Sequence, residues 1–278
     1  MAVYLPKFTV DYLDKKPIGK SSELVTAIGL GTWGIRSEES ARKALVHAIT
    51  IGLNLVDTAE MYGQGKAEEL VGRVIREVGR DSVFVTTKLY PHRFRDPDKA
   101  VKAAEASLRR LMTSYTDLLL IHWPDDLAPI RLQVRSLEAI AERGLTRYVG
   151  LSNFNQSQMI EAVESASKYD LVVNQVKYSV LDKSVERSLL STCIELGVTL
   201  MAYSPLERGA VANVRLVREV ASRYGKTPVQ VALNYLISHP MVVAIPKTER
   251  VEHVDELAGS LGWRLKPEDI ELLEKVSY

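Results

Sequence analysis

Eight short apolar runs alternate with amphipathic stretches along 278 residues, which predicts one (β/α)8 TIM barrel occupying 1–278 as a single domain. Two observations carry that expectation. The runs are apolar almost without interruption, as parallel strands covered on both faces must be. The stretches between them repeat at helical spacing and are long enough to cross from one parallel strand to the next. An open doubly wound sheet shares this periodicity and stands as the rival.

The elements follow in order. Residues before 25, with Pro17 and Gly19, read as an extra β-hairpin capping the barrel bottom. The first strand is VTAIGL at 25–30, followed by a helix over 38–51 that Ser37 caps. LNLVD at 53–57 leads to a helix over 66–78, and VFVTTK at 83–88 to one over 98–112. Asp96 before Pro97 marks that third helix, because an N-cap acceptor and a residue without an N–H both suit a helix start. DLLLIH at 117–122 precedes a helix over 131–143, and YVGLSN at 148–153 precedes one over 156–165 opened by Asn155. LVVNQ at 171–175 precedes 184–196, VTLMAYS at 198–204 precedes 213–224, and MVVAIPK at 241–247 precedes 250–258. Two extra helices, 228–238 behind Thr227–Pro228 and 267–276, fall outside the eight repeats. Gly52, Gly79, Gly144 and Gly197 stand where helices should stop.

Composition removes several function classes. Lys and Arg number 36 against 35 Asp and Glu, so there is no basic excess for nucleic acid or for a polybasic membrane anchor. The single cysteine, Cys193, allows no intrachain disulfide or cysteine metal cluster and reads as buried and inert. His47, His92 and His239 show no ligand spacing, so no metal is expected. MAVYLPKFTVDYLDKK lacks a basic segment followed by a long apolar run, and no apolar stretch approaches about 18 residues. The expectation is a cytoplasmic protein with no membrane partner.

Chemistry collects at the strand ends. The runs finish in Asp57, Lys88, His122, Ser152–Asn153, Gln175, Tyr203–Ser204 and Lys247. One polar strand end means little, but seven place these groups together at the C-terminal mouth, where barrel active sites lie. Asp57, Lys88 and His122 come from neighbouring strands, and Tyr62 follows on the loop in DTAEMYGQG. A phenol is a poor acid at neutral pH, an adjacent ammonium lowers its pKa, and a carboxylate holds that ammonium in place. The set therefore reads as a tuned general acid with a histidine to orient a carbonyl. A structural Asp57–Lys88 ion pair and a core histidine are the bland alternatives. GLGTWG at 29–34 matches a dinucleotide fingerprint, with Asp57 able to pose as its ribose-binding acid. The helix cap at Ser37 lies beyond the last glycine, which argues against that reading.

DTAEMYG, VTTK, LLLIHWP, VGLSNF, NQVKYS, AYSPLERG and VVAIPK, in this order, resemble the aldo-keto reductase superfamily over about residues 25–260. The resemblance implies NADPH-dependent reduction of small carbonyl substrates in a (β/α)8 barrel. It implies Tyr62 as acid, Lys88 and Asp57 as its tuning pair, and His122 as the orienting group. It implies that Ser152, Asn153 and Gln175 bond the nicotinamide carboxamide and that Tyr203 stacks on the ring. Gly31, Thr32 and Trp33 at the first strand's end join the cofactor set, Ser204 and Leu206 line the pyrophosphate path, and Lys247 and Thr248 meet a 2′-phosphate. Where many members carry arginine and asparagine after that lysine, this chain has His253 and Leu257, with Arg250 as a possible substitute and Asp255 and Glu256 nearby. NADH thus remains open beside NADPH. Trp33, Tyr90 and Trp123 resemble the aromatic substrate wall, and the short loops imply an open pocket with weak substrate affinity. The resemblance implies a monomer. It also leaves an NADP-binding regulatory subunit, like potassium-channel β subunits, as the alternative to an enzyme. A phosphosugar barrel is disfavoured, since no glycine-rich loop follows the seventh or eighth strand.

Overall fold

A computed structural model describes residues 9–276. The first eight residues of the segment MAVYLPKFTVDYLDKK lie outside the described residues. β1 (Lys15–Pro17) pairs antiparallel with β2 (Leu24–Thr26). Ile18 and Val25 of this hairpin are fully buried among the side chains that fill the barrel, so the hairpin closes its bottom as expected.

The barrel strands are β3 (Leu30–Gly31), β4 (Leu55–Asp57), β5 (Phe84–Leu89), β6 (Thr116–Ile121), β7 (Thr146–Ser152), β8 (Leu171–Lys177), β9 (Thr199–Tyr203) and β10 (Val242–Ala244). Each pairs in parallel with its sequence neighbour. The ring returns on itself between the last strand and the first. Ile28 bridges Ala244 in parallel, and Gly29 N donates to Ala244 O at 2.8 Å and Gly31 N to Pro246 O at 2.9 Å. That closure separates the barrel from an open sheet.

The helices are α1 (Glu38–Thr50), α2 (Lys66–Val78), α3 (Pro97–Leu111), α4 (Ile130–Glu142), α5 (Gln156–Ser165), α6 (Leu189–Leu196), α7 (Arg215–Tyr224), α8 (Pro228–Ile237), α9 (Val251–Ala258) and α10 (Pro267–Glu274). The Asp96 carboxylate accepts from Asp98 N and Lys99 N, and Asn155 and Thr227 both form capping boxes. Each such cap is worth about 1 kcal/mol. Gly197 ends α6 at φ +65, and a Cβ there would meet Lys20 as well as strain the backbone.

Three expectations are corrected. The run at 25–30 serves two elements: its start belongs to the hairpin strand β2 and its end to β3. The helix expected over 184–196 is a 3-10 turn over Ser184–Arg187, then α6, with the break at Ser188 (φ −157). The helix outside the ring is α7, not α8. Val231 to Ile237 of α8 are all buried and pack on β10, whereas α7 lies beyond α8 and meets α10. The two extra helices are therefore α7 and α10.

One apolar cluster fills the space between strands and helices. A smaller one lies inside the barrel, from Ile18 and Val25 at the bottom through Leu55, Leu118, Val173 and Met201. This inner packing is the floor on which the polar strand ends stand.

Candidate active site

Asp57 closes β4, Lys88 is the penultimate residue of β5, and His122 follows β6. Tyr62 starts a 3-10 turn, Tyr62–Gly65, above β4. Register brings them together: Asp57 pairs with Thr86 and Lys88 with Leu120, so each strand end stands beside the next. All four predicted residues converge.

Lys88 is fully buried, and its ammonium has three acceptors. It donates to Asp57 Oδ2 at 2.8 Å, to Thr58 O at 2.8 Å and to the Tyr62 hydroxyl at 3.1 Å. Gln175 Nε2 reaches across the barrel to Asp57 Oδ1 at 2.7 Å, so both carboxylate oxygens are held. The Tyr62 and His122 rings meet edge-on with centroids 5.7 Å apart. His122 Nδ1 is buried and has no hydrogen-bond partner among the described residues.

Burial governs the proton balance. It pushes the His122 imidazole down to about 2, assisted by the Lys88 charge, so the ring is neutral at physiological pH. Burial works against the Lys88 ammonium, but Asp57 and Tyr62 outweigh it and hold the ammonium above the ordinary lysine range. Burial also lifts the Asp57 carboxyl, opposed by Lys88 and Gln175. For Tyr62 the sequence-based expectation of a lowered pKa is reversed. Desolvation raises it, and the opposing pull of Lys88 does not overcome burial and the Asp57 charge. The free site thus holds a protonated phenol beside a charged lysine and a neutral histidine.

The predicted cofactor residues line the other side of the mouth. Ser152 Oγ donates to Gln175 O at 3.0 Å, and Asn153 Nδ2 donates to His122 O at 3.0 Å and Ser152 Oγ at 3.1 Å. The Tyr203 hydroxyl donates to Asn153 Oδ1 at 3.0 Å, which fixes a half-buried ring at the end of β9. Asn153 adopts φ +62 and Ser204 φ +52, backbone that turns the chain sharply over the mouth. Thr32 backs Asp57: its N and Oγ1 both donate to Asp57 O at 3.0 Å. Gly31 belongs to the seam with Pro246, and Leu206 packs on the outer core. An amide pair, a hydroxyl and a flat ring suit a carboxamide-bearing heterocycle, so the donor set fits the nicotinamide end of a dinucleotide.

At the end of β10 the Lys247 ammonium is ion-paired with Glu249. Thr248 Oγ1 accepts from Arg250 N at 3.1 Å and lies 3.4 Å from His253 Nδ1. The Arg250 guanidinium faces Glu252 at 3.7 Å and is exposed. This cluster of one lysine, a hydroxyl and an imidazole fits a phosphate, and Glu249 is a rival anion inside it.

Trp33 is 57% exposed and Trp123 39%, so both predicted wall residues reach the surface. The Trp123 ring stacks on His122 at 4.0 Å, next to the acid–base set. Tyr90 stacks on His92 at 5.6 Å, and its N donates to buried Glu60 at 2.6 Å. Trp33 lies under the Arg208 guanidinium, 5.4 Å from the ring centroid. Sequence reasoning missed Glu60, Arg208 and Glu249, and missed that Gln175 buttresses Asp57. Glu60 lies within the DTAEMYG motif and Glu249 two residues after Lys247, so proximity to the motif residues was the available signal. Cys193 is buried, and burial pushes its thiol up to about 12. No described helix is long and apolar enough to cross a membrane.

Residues 27–277 match the model of the aldo/keto reductase family. The methylglyoxal reductase YeaE of Escherichia coli (strain K12) is 36% identical over 258 residues, covering 90% of each chain. The thermostable aldo-keto reductase Tm1743, crystallised with the inhibitor epalrestat, superposes with a TM-score of 0.89 at 38% identity, covering 94% of this chain and 98% of that one. An aldo/keto reductase from Klebsiella pneumoniae crystallised with NADP and acetate superposes with a TM-score of 0.88 at 33% identity, covering 94% of each.

Proposed function

Because the chain belongs to the aldo/keto reductase family, we propose that it reduces aldehydes and ketones to alcohols with NADPH or NADH, Tyr62 acting as the general acid. The observation that carries this reading is the buried Lys88 ammonium shared between Asp57 and the Tyr62 hydroxyl, at 2.8 Å and 3.1 Å. The cofactor, when bound, supplies a hydride to the carbonyl carbon. Ser152, Asn153, Gln175 and Tyr203 would hold its nicotinamide, Ser204 and Leu206 would line its pyrophosphate path, Gly31, Thr32 and Trp33 would complete the cofactor set, and Lys247 and Thr248, with Arg250 and His253, would take a 2′-phosphate.

Tyr62 donates its hydroxyl proton to the carbonyl oxygen. A phenol kept protonated by burial is ready for that step, and the nearby ammonium stabilises the phenolate it becomes. Asp57, fixed by Lys88 and Gln175, keeps the ammonium charged and aimed. Neutral His122 offers a hydrogen bond to the same oxygen without placing a second cation beside Lys88. Trp123 and Trp33 wall an open mouth, which favours small or aromatic aldehydes and weak binding. The E. coli relative's name, methylglyoxal reductase, supports a small oxo-aldehyde as one substrate. The same reading takes 1–278 as one domain acting as a cytoplasmic monomer.

The test is oxidation of NADPH and NADH with a panel of aldehydes including methylglyoxal, for wild type and Tyr62→Phe. Loss of a general acid lowers turnover by roughly 10²-fold or more, with nucleotide binding retained. Turnover unchanged in the variant refutes the assignment of Tyr62. Tight nucleotide binding by a wild type without turnover favours the regulatory-subunit alternative.

A further inference from the structure

Glu249 is placed where a bound phosphate would be expected to find its donors. Its Oε1 accepts from Arg36 N at 3.0 Å and its Oε2 from Ser37 N at 2.8 Å, just ahead of α1. Lys247 donates to the same carboxylate. One carboxylate therefore takes two backbone N–H groups and the cation on which the proposed 2′-phosphate would depend. Glu249 is partly buried, and the three donors outweigh its desolvation and hold its carboxyl below the usual range, so it is ionised at neutral pH.

We propose that Glu249 is a specificity residue for the cofactor: it occupies Lys247 and the N–H pair as a built-in anion, opposes a 2′-phosphate, and thereby lets the protein accept NADH beside NADPH. The inference rests on the functional reading above, in that it takes this cluster as the nucleotide's phosphate end. Two consequences of charge lead to it. A 2′-phosphate bound at Lys247 must share that cation with Glu249 or displace it, and it meets a like charge while doing so. A nucleotide with a free 2′-hydroxyl meets no such repulsion, and a carboxylate is an acceptor for a hydroxyl.

The experiment compares binding of NADP⁺ and NAD⁺ by quenching of tryptophan fluorescence and by calorimetry, in wild type and Glu249→Gln. Glutamine removes the charge and keeps one oxygen for one of the two N–H groups. Glu249→Ser, which also removes the charge, is the second variant should glutamine perturb α1. The expected result is a shift of the NADP⁺ to NAD⁺ affinity ratio toward NADP⁺ by about five- to tenfold, a gap that narrows as salt screens the site. A ratio that stays put or moves toward NAD⁺ in both folded variants overturns this inference and leaves the reductase reading standing. Failure of wild type to bind either nucleotide overturns both.

Discussion

Replacing Lys88 with methionine tests the core of the site. The ammonium stands 2.8 Å from an Asp57 oxygen, and at an effective dielectric of about 20 that pair attracts by about 6 kcal/mol before desolvation is subtracted. Methionine leaves a buried carboxylate with only Gln175 as partner, and orphaning one member of a buried pair costs about 3–5 kcal/mol. A domain with about 5–15 kcal/mol of stability survives that loss, so the variant folds but unfolds at lower urea. Neutralising both members relieves most of the cost, so Asp57→Asn/Lys88→Met recovers to within about 2 kcal/mol of wild type. The pH dependence gives a second handle. In the single variant the Asp57 carboxyl is raised further above its unfolded value of 3.8. A raised carboxyl adds no penalty below the unfolded value and its penalty grows as pH rises through the folded one, so the deficit against wild type shrinks in acid. Turnover falls by at least about 10²-fold in both variants, because Tyr62 loses its neighbouring cation. Urea titrations at neutral and acid pH read the stabilities. A deficit below about 1 kcal/mol that does not change with pH would refute the ion-pair argument.

The remaining predictions rest on burial. The His122 ring is held at about 2 against an ordinary 6.5, so its unfolded form binds a proton first. Stability is full above 6.5 and drains as pH falls toward 2, by about 2.5 kcal/mol between pH 6.5 and 4.5 for this one group. His122→Gln should flatten the stability–pH curve by that amount, and an unchanged slope would show the ring to be less dehydrated than its surroundings indicate. A Cβ at Gly72 would stand 2.6 Å from Arg110 O, where α2 and α3 pack. Gly72→Ala should therefore lose about 1–3 kcal/mol despite alanine's better helix propensity, and a gain in thermal midpoint would contradict the close approach.

Much of this was legible in the sequence, and the exceptions have physical causes. Helix starts with a side-chain acceptor were readable to the residue, because Asp96, Asn155 and Thr227 satisfy N–H groups whose positions are fixed by chain geometry. The run at 25–30 was not, since an apolar segment cannot say which of two sheets it joins. The order of α7 and α8 was readable in principle: PVQVALNYLI carries no charged residue, as suits a helix covered on both sides, while RLVREVASRY has one apolar stripe and four charged side chains. The four residues of the candidate acid–base set were legible because strand ends of a parallel barrel share one face. The Tyr62 proton balance was not, because charge type is visible in a sequence while depth of burial is not. Glu249 was hidden for a related reason: its partners at Arg36 and Ser37 lie more than two hundred residues away.

The brevity of the two closing strands bears on how the unfinished chain behaves. The seam joins residues near 28 to residues near 244, so nearly the whole polypeptide must be in place before the ring can shut. Closing so long a span is entropically costly and comes late. Until then β3 and β10 are naked sheet margins, open to pairing with a neighbouring molecule. At two and three residues they offer a stranger few hydrogen bonds, so the weakest stretch of the finished wall is also what discourages aggregation while it is being built.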